Sequence, residues 1–314
     1  MYNIVMNKLL NEARKNKADE FYTQYTDIEN ELVHYDESLF SGKTVYCPCD
    51  DWRTSQFVRY FMTNFQRLGL KHLVSTCLVR GGCGIRYDYD GEEGVTTDLM
   101  FDGDFRGLDC ELIRDASDIV VTNPPFSLFR NIVEWLEGKQ FLILGHISCI
   151  TDKRVFRMFR DGEMWYGCSV SSRGLWFDVP DEYPLTATNT RILEDGRRQV
   201  NVKGVRWYTN LPNDRKQQPL ELHTMDWNLK HNVKFVNRMK EFGEPRYRTL
   251  DGTDILEVPV SSAIPSDWDG LMAVPTSFLD KWCKDQFRVL ERVSSPTLDG
   301  QKRFTRLLIE KLRP

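Results

Sequence analysis

The chain has 314 residues, which suggests two domains or one large domain with an added lobe. Its hydrophobic content of 41% and charged content of 28% are those of a globular chain and exclude wholesale disorder. The net charge of −4 hides an asymmetry: residues 1–150 carry 15 Lys+Arg against 23 Asp+Glu, and residues 151–314 carry 27 against 23, so only the second part offers a polyanion an excess of positive charge.

No run approaches the roughly 18 apolar residues of a membrane span. Met1–Val5 lacks the basic and apolar pattern of a signal peptide, so a cytoplasmic protein is expected. The eight cysteines are scattered and expected to stay reduced. Cys47-Pro48-Cys49 has one intervening residue and no C-x₂₋₄-C pair exists, so no metal site is expected.

Lys43–Cys49 reads as a short buried strand around Thr44-Val45-Tyr46-Cys47. Phe57, Tyr60, Phe61, Phe65 and Leu68 then recur at helical spacing, with Gly69 placed for a C-cap. His72–Val79 is a second strand. Arg80–Gly94, rich in Gly, Asp and Tyr, reads as an exposed loop or hairpin, and Val95–Phe101 as a strand. Gly81-Gly82-Cys83-Gly84 lacks the ending of a phosphate loop. Leu108–Ala116 is predicted helical. Asp118–Thr122 is a β-branched strand running into Asn123-Pro124-Pro125-Phe126, after which Ser127 is expected to cap a helix. Gln140–Leu144 is a further strand. Strands alternating with helices argue for a mostly parallel sheet covered on both faces, with the ligand site beyond the carboxyl ends of the strands.

Beyond residue 150 the text becomes irregular. Trp165-Tyr166, Trp176-Phe177 and Trp207-Tyr208 interleave with Arg173, Arg191, Arg197, Arg198, Lys203 and Arg206, a mixture suited to nucleic acid. Lys302–Leu312 is predicted to be a packing helix with a basic face.

Asn123–Phe126 carries the chemistry. Two consecutive prolines fix two φ angles and remove two N–H donors, leaving a rigid corner of acceptors. The Asn123 amide oxygen and the Pro124 carbonyl suit the two hydrogens of an exocyclic amine, and the Phe126 ring can stack on the base that bears it. Holding both hydrogens out of the ring plane frees the nitrogen lone pair for attack. Adenine N6, cytosine N4, an RNA adenine and a protein glutamine all satisfy this corner.

Asp118–Phe129, D-I-V-V-T-N-P-P-F-S-L-F, closely resembles the amino-methyltransferase motif of the EcoRI-type adenine-specific DNA methyltransferases. Asp19–Gln24 with Asp27–Leu32, Val45–Asp51, Gly103–Arg106 and Gly204–Leu211 are similar to further segments of that family. The resemblance implies a Rossmann-like S-adenosylmethionine-dependent methyltransferase fold with a mostly parallel seven-stranded sheet. It implies a helix and catalytic core over residues 1–160, and remaining core strands with an irregular target-recognition region over residues 161–314. S-adenosylmethionine is the implied cofactor, and double-stranded DNA carrying a flipped-out adenine the implied substrate. The implied enzyme works as a monomer, away from membranes, in functional pairing with a restriction endonuclease. A DNA-binding homologue that no longer transfers methyl groups is the reading from a different class.

Carried over by position, Asn123, Pro124, Pro125 and Phe126 hold the target base. Phe21, Tyr22 and Thr23 line the methionine end of the cofactor, Cys47 and Asp50 lie at the strand-one turn, and Asp104 and Phe105 meet the cofactor adenine. Apart from the resemblance, the clustering of Arg191, Arg197, Arg198, Lys203 and Arg206 within 16 positions leads these residues to be expected to face DNA. Two departures stand out. Cys47–Asp50 has no glycine where most S-adenosylmethionine enzymes have a glycine-rich turn, and His146 stands in a turn where the family is expected to be Asn-rich. His146 is read as a turn residue in preference to a pocket residue.

Overall fold

In the computed structural model, residues 21–169, 174–181, 183, 185, 189–214 and 219–312 are described. Asp19, Glu20 and Arg173 lie outside them. The chain divides into two compact units that interleave in sequence: residues 1–149 with 167–214, and residues 150–166 with 215–314. A single boundary near residue 160 therefore does not describe how the contacts group. No helix among the described residues is long and apolar enough to cross a membrane.

The first unit is built on a mixed sheet. Four parallel strands form its middle: β1 (Thr44–Cys47), β2 (His72–Cys77), β5 (Ile119–Thr122) and β6 (Gln140–His146), in the order β2-β1-β5-β6. Every residue of β5 is buried, as a β-branched strand covered on both faces must be. Antiparallel strands complete both sides. β3 (Ile85–Tyr89) and β4 (Gly94–Asp98) form a hairpin on β2, and Val205–Thr209 pairs with β6. The sheet is thus parallel only at its centre. The stretch 80–94, read as a loop or hairpin, supplies a full strand and the first arm of that hairpin.

Ser55 caps the helix Gln56–Thr63, its hydroxyl accepting from the N–H groups of Phe57 and Val58, and Gly69 ends the following turn in the left-handed conformation. Ser127 does not cap the next helix. Residues Phe126–Leu128 form a 3₁₀ turn closed by Leu128 N–H to the Pro125 carbonyl at 2.8 Å, and the α-helix begins only at Phe129. A separate three-stranded antiparallel sheet, Leu175–Asp178 with Arg198–Val202 with Thr190–Ile192, completes the unit. Phe21, Phe177, Val200 and Val202 join the residues of the large sheet in one core.

In the second unit a five-stranded sheet contains Arg306–Lys311, flanked by Met272–Pro275 and Phe287–Val293. This overturns the predicted terminal helix. Leu307, Leu308 and Ile309 form a short apolar run buried in a central strand, which periodicity alone does not separate from a helix face. Arg306 enters this core because Glu257, fully buried, accepts from its Nε and Nη2 at 3.0 and 2.7 Å.

Candidate active site

The carboxyl ends of β1 and β5 are tied by side chains. Asp50 follows the turn after β1, and its carboxylate accepts from Ser55 Oγ at 2.6 Å and from Thr122 Oγ1, the last residue of β5, at 2.7 Å. The Thr122 hydroxyl also contacts the Pro48 carbonyl, and the Asp50 N–H donates to the Thr76 carbonyl of β2. The turn lacks glycine, but Cys49 takes the left-handed conformation itself, with φ 62°. The chain therefore makes the bend expected of a glycine-rich turn using a residue that carries a Cβ. Cys47 is buried in β1, where desolvation holds its thiol well above the usual range.

Asp50 is unusual in what it lacks. Burial lifts its carboxyl from 3.8 to about 7, and the hydrogen bonds from Ser55 and Thr122 only partly offset this. Among the described residues, no cation is among the influences on it.

Asn123 leaves β5 toward the segment Phe21-Tyr22-Thr23. Its Nδ2 donates to the Phe21 carbonyl at 2.5 Å. That bond fixes the amide, because the reverse orientation would set oxygen against oxygen. The Oδ1 atom is then left buried without a hydrogen-bond partner, and so is the Thr23 hydroxyl. Buried polar atoms are seldom orphaned, and two so close along one junction call for an explanation. Tyr22 is tied by reciprocal backbone bonds of 2.9 and 3.0 Å to Asp178, so the three-stranded sheet anchors the segment. The half-buried Phe126 ring lies 5.6 Å from the Phe21 ring and 6.3 Å from that of Phe177, and Tyr183 stands edge-on to Phe21 at 6.0 Å. Phe21, Tyr22, Thr23, Asn123, Pro124, Pro125 and Phe126 thus come together at the carboxyl ends of the strands, with Asp50 on the neighbouring one.

The other predicted residues fare differently. Asp104 accepts from the backbone and guanidinium of Arg106, which holds its carboxyl below the usual range, and the Phe105 ring is buried edge-on against Trp135 at 5.6 Å. Neither presents the open face expected of a pair meeting a base. His146 is not the turn residue expected but the last residue of β6, paired with Val205: its Nδ1 accepts from the Ser148 N–H at 3.2 Å and meets the Ser148 hydroxyl at 2.7 Å, and burial lowers its pKa.

The basic cluster is largely committed within the protein. Arg206 is buried, with Nη1 donating to the Val205 carbonyl. Arg198 donates to the carbonyls of Asp181 and Tyr183, and Arg197 pairs with Asp195 and Asp178. Lys203 and Arg191 are exposed.

Sequence reasoning missed Glu31. This fully buried carboxylate accepts from Tyr35 Oη, from the N–H groups of Cys168 and Ser169, and from the Ser169 hydroxyl, and so clamps the chain ahead of the three-stranded sheet. Its only signal was its place in the Asp27–Leu32 run. Thr122, Phe177 and Tyr183 were also missed, because each acts through a partner distant in sequence.

Fold and site together describe a mixed α/β protein with an acceptor corner at the carboxyl end of a central strand, an arrangement compatible with a methyltransferase. Comparison with known families makes this specific. The chain matches the family described as "Adenine-specific methyltransferase EcoRI" over residues 9–94 and 86–310, and it belongs to that family. It is 38% identical to the type II methyltransferase M.EcoRI of Escherichia coli, over 98% of this chain and 97% of that one. It is 35% identical to the type II methyltransferase M.MpnI of Mycoplasma pneumoniae over 93% and 88%, and 31% identical to M.MgeORF184P of Mycoplasma genitalium over 96% and 98%. No solved structure shows a significant match.

Proposed function

We propose that the protein transfers a methyl group from S-adenosylmethionine to the N6 amine of an adenine flipped out of double-stranded DNA. The observation that carries this reading is the Asn123 amide, locked by its Nδ2 and left with a buried, unpartnered Oδ1. An immobilised acceptor of this kind suits a ligand N–H. Membership of an adenine-specific family favours adenine over the other amines the corner admits.

The residues fit the cofactor's amino-acid end. Asp50, without a cation, suits its ammonium, and the orphaned Thr23 hydroxyl can donate to its carboxylate. Phe21 and Tyr22 are assigned to the same pocket, with Cys47 beneath it. Asp104 and Phe105 are left out of the proposed contacts, since Arg106 and Trp135 already engage them. When bound, S-adenosylmethionine supplies an electrophilic sulfonium methyl group. Asn123 Oδ1 and the Pro124 carbonyl then accept the two amine hydrogens, Pro125 contributes no competing N–H, and Phe126 packs on the base. The same two oxygens face the positive charge that develops on the nitrogen, before a proton leaves to solvent. The adenine must first leave the duplex, at a cost of a few kcal/mol.

We assign this chemistry to the Rossmann-like sheet, seven strands of which lie in the first unit, and target recognition to the region after residue 160. The type II names of the relatives suggest a restriction endonuclease as functional partner. The test is incubation with duplex DNA and labelled methyl donor, followed by digestion to nucleosides. Label is expected in N6-methyladenine. Asn123→Ala should lower turnover by about 10²–10³ while cofactor affinity persists. Label in another nucleoside, or none, would refute the reaction, and near-wild-type turnover by the variant would refute the role of Asn123.

A further inference from the structure

One face of the three-stranded sheet carries a cross-strand row that the proposed chemistry does not use. Gln199 on the central strand stands opposite Arg191 on one side and Asp178 on the other. The side chains follow the register: Arg191 Nε donates to Gln199 Oε1 at 2.8 Å, and Gln199 Nε2 donates to Asp178 Oδ1 at 2.7 Å. The second Asp178 oxygen accepts from Arg197 at 3.2 Å, which fixes that end of the row. The Arg191 guanidinium also lies 4.0 Å over the ring of Trp176, two residues before Asp178 on the same face.

Two constraints therefore act on Arg191. The Trp176 ring packs against its guanidinium at 4.0 Å, and the Nε bond to Gln199 restricts its rotation. Both Nη groups remain without a hydrogen-bond partner among the described residues. Arg191 and Trp176 line an open cleft of about 700 Å³ within the first unit, whose opposite wall is the helix Tyr25–Leu32. A flexible surface arginine gives up much rotamer freedom when it binds. This one has already lost it, so its two parallel donors are preorganised.

We infer that Arg191 is a specificity or positioning residue of the DNA-binding surface: a fixed two-donor fork for a DNA group presenting two acceptors side by side. Two DNA groups have that chemistry, the O6/N7 edge of guanine and a pair of phosphate oxygens. The inference rests on DNA being the substrate. Of the arginines in the predicted basic cluster it selects this one, because Arg197, Arg198 and Arg206 have donors committed to carboxylates or carbonyls of the protein itself.

The test uses the full-length protein. The methylated site is first mapped with the wild type, and failure to bind or methylate DNA at that stage would count against the functional proposal and not against Arg191. Arg191→Lys keeps the charge but loses the fork, and Arg191→Gln loses both. If the fork reads guanine, Arg191→Lys should relax discrimination at one guanine position by about 5–150-fold. Replacing that guanine with 7-deazaguanine should then weaken the wild type but not the variant. If it grips phosphate, Arg191→Gln should weaken binding similarly on cognate and scrambled duplexes, with the salt slope reduced by about one. Unchanged cofactor affinity in both variants would show that the site beside the sheet is intact. Wild-type affinity, salt slope and site preference in both would overturn the inference.

Discussion

Asp50→Asn separates what this carboxylate costs the fold from what it offers a ligand. Its carboxyl moves from 3.8 to about 7 because it is buried. A folded-state pKa above the unfolded value means the folded protein binds the proton more tightly. The contribution is therefore most favourable below about pH 4, declines as pH rises toward 7, and is level above that. At about 1.36 kcal/mol per pKa unit, the ionised group opposes folding by on the order of 4 kcal/mol at pH 8. Asparagine fits the same site: its Oδ1 can accept from Ser55, and its Nδ2 can donate to Thr122 Oγ1, whose own hydrogen then turns to the Pro48 carbonyl. Thermal melts of the ligand-free protein from pH 4 to pH 8 should show wild type and variant close together at pH 4 and the variant more stable at pH 8. Titration calorimetry should show the variant binding S-adenosylmethionine more weakly, since the partner proposed for its ammonium is gone. A variant no more stable at pH 8, with the wild-type pH slope, would refute the electrostatic reasoning. Unchanged cofactor affinity would remove Asp50 from the methionine end.

With 2-aminopurine in place of the target adenine, binding should raise fluorescence as the base leaves the stack, and a saturated complex without any change would argue against flipping. In the second unit, Arg306→Met strands the fully buried Glu257 carboxylate and should cost about 3–5 kcal/mol in urea unfolding. Arg306→Met combined with Glu257→Leu should recover much of that loss, and additive losses would show that the pair is not the source.

Local signals were read well and long-range ones poorly. The buried strands Thr44–Cys47 and Ile119–Thr122, the Gly69 cap and the corner Asn123–Phe126 all announce themselves within a few residues, although the helix expected to run unbroken to Leu68 is interrupted at Asn64. Leu307–Ile309 misled because a short apolar run in a central strand has no distinctive period. The motif around Phe105 fixes its place in the chain, whereas Trp135, thirty residues away, covers its ring edge-on. Asp50 could be located from sequence, but its missing cation could not, since that depends on every element folded around it.

The basic cluster shows why counting charges does not find a DNA surface: a count includes each guanidinium but not its partners. Arg198 donates through both Nη groups to the carbonyls of Asp181 and Tyr183, and the Tyr183 ring abuts Phe21 beside the site. Arg198→Ala strands carbonyls the fold had satisfied, so it should lower stability by about 1–3 kcal/mol and slow methyl transfer by loosening Tyr183. Arg197→Ala instead removes a largely exposed arginine from its ion pairs with Asp178 and Asp195, a change worth at most about 1 kcal/mol. Melting curves, with DNA titrations at several salt concentrations, distinguish the two. If Arg198→Ala melts like the wild type while its salt slope falls by about one, Arg198 contacts phosphate after all, and its bonds to the two carbonyls are not what keeps it there.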